Sequence, residues 1–105
     1  MGPVGIIYFL HAPQARTIKI WFTTMLSDRL AKLRNGSPEH LELLKTIKGS
    51  VAIEQTLFIM WSKHRLHGEW FRATPDLLAY ITDLEAEYEY TPVLQKLVAQ
   101  GGNTD

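Results

Sequence analysis

Several side chains in this sequence are equipped for phosphate and water chemistry. Arg29, Lys32 and Arg34 lie close together in one segment, and Lys63, Arg65 and His67 in another. A guanidinium is a planar, permanently charged fork that matches phosphate oxygens, and an ammonium meets them as a point charge. Glu54 offers a carboxylate, a hard oxygen ligand suited to Mg2+ or Mn2+, which keep most of their waters and borrow phosphate oxygens. Such an ion lowers the pKa of a bound water or polarises a phosphate. The Tyr8 hydroxyl can donate to a water, or relay a proton from it, within hydrogen-bond reach. Each of these residues also has a plain structural reading. An aromatic on a strand packs against its cross-strand neighbour. Arg29 with Lys32 reads as a solvated helix face, and Glu54 gains from the dipole of an early helical turn. The run 63–67 sits at a helix end, where cations are favoured in any case. His64 and His67, at i and i+3, could share a metal, but no third ligand is obvious nearby.

The elements that must position these groups follow from the apolar pattern. Residues 6–10 (IIYFL) are β-branched and aromatic, as a pleated, half-buried surface requires. Residues 17–22 (TIKIWF) alternate, with Ile18, Ile20 and Phe22 on one face and Thr17, Lys19 and Trp21 on the other. The loop between them contains Pro13, so the two read as an antiparallel hairpin. A helix capped by Thr23 or Thr24 runs to about Arg34, with Met25, Leu26, Leu30 and Leu33 inward and Arg29, Lys32 and Arg34 on a basic side. Asn35-Gly36-Ser37-Pro38 stops it through a left-handed cap. Residues 40–48 read as a strand. Ser50 caps a helix over 51–65, with Ile53, Leu57, Met60, Trp61 and His64 toward the core. Residues 69–71 are a brief extended piece. Thr74-Pro75 opens a helix to about Tyr88 that buries Leu77, Leu78, Ile81 and Leu84, and a short helix over 93–100 follows. The expected fold class is α+β, a small antiparallel sheet of about three strands flanked by helices, in the order β-β-α-β-α-(β)-α.

Composition narrows the setting. A chain of 105 residues fits a single domain with an adequate core, here expected over about 6–90, with 101–105 disordered. The formal net charge is zero, so there is no global basic field of the kind many nucleic-acid binders carry. The absence of cysteine excludes disulfides, Cys-based zinc sites and a Cys nucleophile. No signal-peptide pattern and no apolar run of about 20 residues are present, so the expectation is a cytoplasmic protein with no membrane partner.

A family pattern emerges from the pieces taken in order: Ile7-Tyr8-Phe9, Ile18-Lys19-Ile20, Phe22-Thr23, Arg29-Leu30, Leu33, Pro38, Leu41-Glu42-Leu43-Leu44, Gly49, Glu54, Leu57 and Gly68-Glu69-Trp70-Phe71. In this the chain resembles the GIY-YIG nuclease superfamily, and within it a phage and bacterial branch, over about residues 6–81. The resemblance implies hydrolysis of phosphodiester bonds in DNA with a single divalent metal, Mg2+ or Mn2+. It implies that Tyr8 lies near the attacking water, that Arg29 stabilises charge on the phosphate and that Glu54 binds the metal. Lys19 stands in the second motif as this branch commonly has it, and joins the catalytic set. Lys32, Arg34, Lys63, Arg65 and His67 would then contact DNA. The sequence departs from the pattern where Trp21 replaces the Gly that ends the second motif, where Leu33 replaces a His or Tyr, and where Phe58 replaces a His. Trp21 either blocks the site or forms a contact patch. The alternative is therefore a catalytically impaired module of the same fold that binds DNA, a protein partner or a second copy of itself.

Overall fold

A computed structural model describes residues 5–84. The described chain runs β1 (Gly5–Ala12), β2 (Thr17–Thr23), α1 (Leu26–Asn35), β3 (Glu42–Gly49), α2 (Val51–Met60), a 3-10 turn (Ser62–His64), β4 (Arg65–His67), β5 (Trp70–Arg72) and α3 (Pro75–Asp83). The fold class is α+β, a small antiparallel sheet flanked by helices. The sheet has five strands in the order β3-β1-β2-β5-β4, not about three, and two strands rather than one separate the second and third helices. The missed strand, β4, is three residues long and exposed throughout; it exists through its pairing with β5 and has no alternating pattern of its own.

The β1–β2 hairpin is the centre of the sheet. Ile7 faces Phe22, Tyr8 faces Trp21, Phe9 faces Ile20 and Leu10 faces Lys19. Successive side chains on a strand point to opposite faces, and both faces here are covered. On one, Ile7, Phe9, Ile18, Ile20 and Phe71 pack with Leu57 of α2 and Leu77 and Ile81 of α3. On the other, Tyr8, Leu10, Ala12 and Leu43 pack with Leu26 and Leu30 of α1. This is why β1 reads as an unbroken apolar run, as strands buried on both faces do.

The helix termini follow local chemistry. Ser50 caps α2 by accepting from the Ile53 N–H at 3.3 Å, and Thr74 caps α3 by accepting from the Leu77 N–H at 3.3 Å, with Pro75 in the first turn. The start of α1 differs from expectation. Met25 holds the cap position without a side-chain bond, while the Thr23 hydroxyl accepts from the Met25 N–H at 2.9 Å just before the helix. Gly36 ends α1 in the right-handed region rather than in a left-handed cap. Helix α2 stops at Met60, five residues short of the expected end at Arg65, and α3 stops at Asp83, with Leu84 extended.

Three expected core residues lie outside it. Met25 precedes α1 and is exposed, and Ile53 and Met60 lie on the outer side of α2. Helix α2 is apolar on nearly all sides, so its sequence alone does not select an inner face. Packing selects the side carrying Glu54 and Leu57. The expected helix over 93–100 and the disordered end at 101–105 lie outside the described residues. No helix among the described residues is long and apolar enough to cross a membrane.

Candidate functional site

The face of the sheet under α1 gathers Tyr8, Lys19, Trp21, Arg29 and Glu69, while Glu54 reaches the edge of the sheet from α2, which packs on the other face. Tyr8 and Trp21 are directly opposed across the hairpin, and Trp21 packs on the cluster that buries Tyr8. Arg29 is exposed on α1, with its guanidinium carbon 5.8 Å from the centre of the Trp21 ring. Lys19 approaches the same ring at 5.3 Å and the Trp70 ring at 5.2 Å, and its Nζ donates to Glu69 Oε1 at 2.8 Å. These distances are those of cation–π contacts. The indole of Trp21 thus engages both nearby cations, and Lys19 is nearly buried.

Glu54 is held by the end of the sheet. Strand β5 pairs with Thr17, Ile18 and Lys19 of β2, and the Ile20 N–H still reaches the Glu69 carbonyl at 3.0 Å. The next outward N–H of β2, that of Phe22, has no strand to meet. Glu54 Oε2 accepts from it at 2.7 Å. Glu54 is 6% exposed and sits in the first turn of α2, and its carboxylate so satisfies a strand-edge donor while being fixed in orientation.

The Tyr8 hydroxyl is buried and has no hydrogen-bond partner among the described residues, and neither has the hydroxyl of Thr46, its neighbour across β1–β3. Burial holds the Tyr8 phenol well above the usual tyrosine range. Arg29 opposes that shift, and Glu69 and Glu54 add to it. The charges of Arg29, Glu69 and Glu54 therefore all reach the Tyr8 hydroxyl. Phenol, guanidinium and carboxylate, residues that the sequence spreads over 47 positions (8 to 54), share one electrostatic environment.

The remaining basic residues are divided. Lys32 is exposed on α1 one turn beyond Arg29. Arg34 is not on that basic side. It is buried in line with Leu26 and Leu30. Lys63 lies exposed in the 3-10 turn, and Arg65 sits over the Phe58 ring at 5.2 Å, on the α2 side of the sheet. A register shift separates Arg65, opposite Phe71, from His67, opposite Trp70. Such an irregularity re-aims a side chain, and it sends His67 to the α1 face while Arg65 stays on the other. His64 packs edge-on against Trp61 at 5.0 Å, in a different element from His67.

The residue types of Glu69 and Trp70 do not by themselves place the two at this site. Their only signal was the GEWF string, because a Lys19–Glu69 pair spans 50 positions and leaves no local spacing to read.

The fit to a metal is limited to one kind of ion. Among the described residues no group of three or more His, Cys, Asp or Glu is placed to hold a metal. A single oriented carboxylate suits an ion such as Mg2+ that keeps its waters and is completed by substrate phosphate, and does not suit a closed Zn2+ site. Comparison with models of known families, with curated proteins and with solved structures gives no match.

Proposed function

We propose that this chain is a metal-dependent DNA endonuclease with a GIY-YIG-type site, hydrolysing phosphodiester bonds. The observation that carries the reading is the Tyr8 hydroxyl. It is buried without a hydrogen-bond partner among the described residues and feels the charges of Arg29 and Glu54. A buried hydroxyl left unpaired costs stability, and a catalytic role is one physical reason for keeping such a group.

In this mechanism Arg29 binds the scissile phosphate from solvent, where its guanidinium is accessible. Glu54 would hold Mg2+ or Mn2+ through its carboxylate, with the Phe22 N–H fixing the group. When bound, the ion supplies charge for the phosphate and acidifies a coordinated water. Tyr8 keeps its proton on Oη, because burial disfavours the phenolate, and so acts as a hydrogen-bond donor or relay to the attacking water. Lys19, neutralised by Glu69, holds Trp21 and Trp70 beside the site rather than offering a free charge.

One observation favours a second reading, a catalytically impaired module of the same fold that binds DNA or a protein. The Trp21 indole stands directly opposite Tyr8 and within 5.8 Å of Arg29, on the approach a phosphate would take.

Plasmid cleavage with Mg2+ or Mn2+ separates the two. The nuclease reading expects cleavage by the chain, lost in Glu54→Gln, which keeps an oxygen for the Phe22 N–H and removes the charge. Cleavage only after Trp21→Gly means an intact but obstructed site. No cleavage by either protein supports the binding module.

A further inference from the structure

An open cavity of about 410 Å3 lies at the C-terminal end of α1. Its walls include Ala12, Leu33, Leu41 and Trp70, with Lys32 and His67 among the polar residues that line it. The loops around it are tied together. The Glu39 carboxylate accepts from the Gln14 N–H at 2.8 Å and from the Ala15 N–H at 3.0 Å, and the Ser37 hydroxyl donates to the Glu39 carbonyl at 2.9 Å. The cavity is thus built by the fold, and its size falls within the ordinary range for small-molecule sites, about 300–1,000 Å3.

Its position relates it to the phosphate chemistry next to it. Trp70 lines the cavity and also receives Lys19 at 5.2 Å. Lys32 is three residues beyond Arg29 on α1, so the two cations lie on one side of the helix, one turn apart. A strand with a phosphate at Arg29 can place its next phosphate near Lys32, and the adjoining base is then beside an aromatic wall. Aromatic side chains hold unstacked bases through their π-faces.

We propose that this cavity is a nucleobase subsite, which takes one base of a DNA strand out of its stack while the flanking phosphates lie on Arg29 and Lys32. The subsite rests on the DNA-cleaving reading above. It makes single-stranded or locally opened DNA the preferred substrate.

The test uses the full chain without divalent metal. Fluorescence anisotropy measures binding of a labelled single-stranded 12-mer and of the same strand with abasic sites, to the chain, to Ala15→Trp and to Arg29→Ala. Ala15 lines the cavity from an exposed loop, so an indole there fills the space with little disturbance to the core. Ala15→Trp is expected to weaken the normal strand about tenfold, the scale of one base–aromatic stack, and to leave the abasic strand unchanged. Arg29→Ala is expected to weaken both. Binding of the normal strand to Ala15→Trp as tight as to the parent overturns the subsite but leaves DNA binding standing. No binding of either strand by the parent overturns the DNA reading and the subsite with it. Independently, deoxyadenosine monophosphate added to the parent chain is expected to shift the amide resonance of Leu33 and the indole N–H of Trp70. Unmoved resonances at saturating nucleotide overturn the subsite.

Discussion

Tyr8 is fully buried, and its hydroxyl has no hydrogen-bond partner among the described residues. A stable fold is better served there by phenylalanine. Tyr8→Phe is therefore expected to raise stability by about 1 kcal/mol at neutral pH, the desolvation of one unpaired hydroxyl. Denaturant unfolding measures it. The pH dependence has a definite sign. Burial raises the folded-state pKa of the phenol above its unfolded value. The neutral phenol is thus retained on folding, its contribution is intact below about pH 10, and stability falls above that as the unfolded chain loses the proton. The phenylalanine variant has no such loss, so its advantage over the parent is expected to widen above about pH 10. Residue types alone suggested Tyr8, Arg29 and Glu54 as chemically able, and the family pattern gave them roles. The bond from the Phe22 N–H to Glu54 and the pairing of Lys19 with Glu69 were not legible, because each joins residues more than 30 positions apart.

At the scale of elements, the hairpin, the caps at Ser50 and Thr74 and a strand over 40–48, observed at Glu42–Gly49, are readable, because each follows from local chemistry: alternation, a hydroxyl before a helix, a turn on either side. What was not readable depended on partners. The fully exposed β4 forms only against β5. Ile53 and Met60 face outward from α2, and the helix is apolar nearly all round, so its sequence selects no inner face. The β4–β5 turn holds a testable feature. Gly68 has φ of +52°, and a Cβ there would meet open space. Its requirement for glycine is conformational and not steric against a neighbour. The turn also receives the Arg65 Nε–H at the Gly68 carbonyl, 2.6 Å away. Gly68→Ala is expected to cost about 1–2 kcal/mol, the penalty of the left-handed region, measured by the unfolding midpoint at constant slope.

Across the whole molecule, neutrality conceals an uneven distribution. The formal charge is zero, yet α1 presents Arg29 and Lys32 to solvent on the site face, while Arg65 is turned to the opposite face and Arg34 is buried. DNA would thus meet few cations. Each phosphate of a single strand that is neutralised contributes a slope of about −0.7 in log affinity against log salt. Arg29 and Lys32 together give about −1.4, far shallower than a basic DNA-binding domain. Arg29→Ala is expected to reduce the slope by about 0.7, read from binding isotherms of a single strand over a salt series. The two-sided core explains how a small chain holds these groups in place. The sheet is covered by α2 and α3 on one face and α1 on the other, so Tyr8 and Trp21 stand on a strand pair that is itself clamped.

The central claim is that the Tyr8 hydroxyl is kept for chemistry. The most direct measurement is the rate of Mg2+-dependent cleavage of supercoiled plasmid by the parent chain and by Tyr8→Phe, at a temperature where both are folded. The account predicts cleavage by the parent and a loss of about 100-fold or more in the variant, the contribution of a positioned proton donor or relay. Equal rates in the two proteins would contradict it.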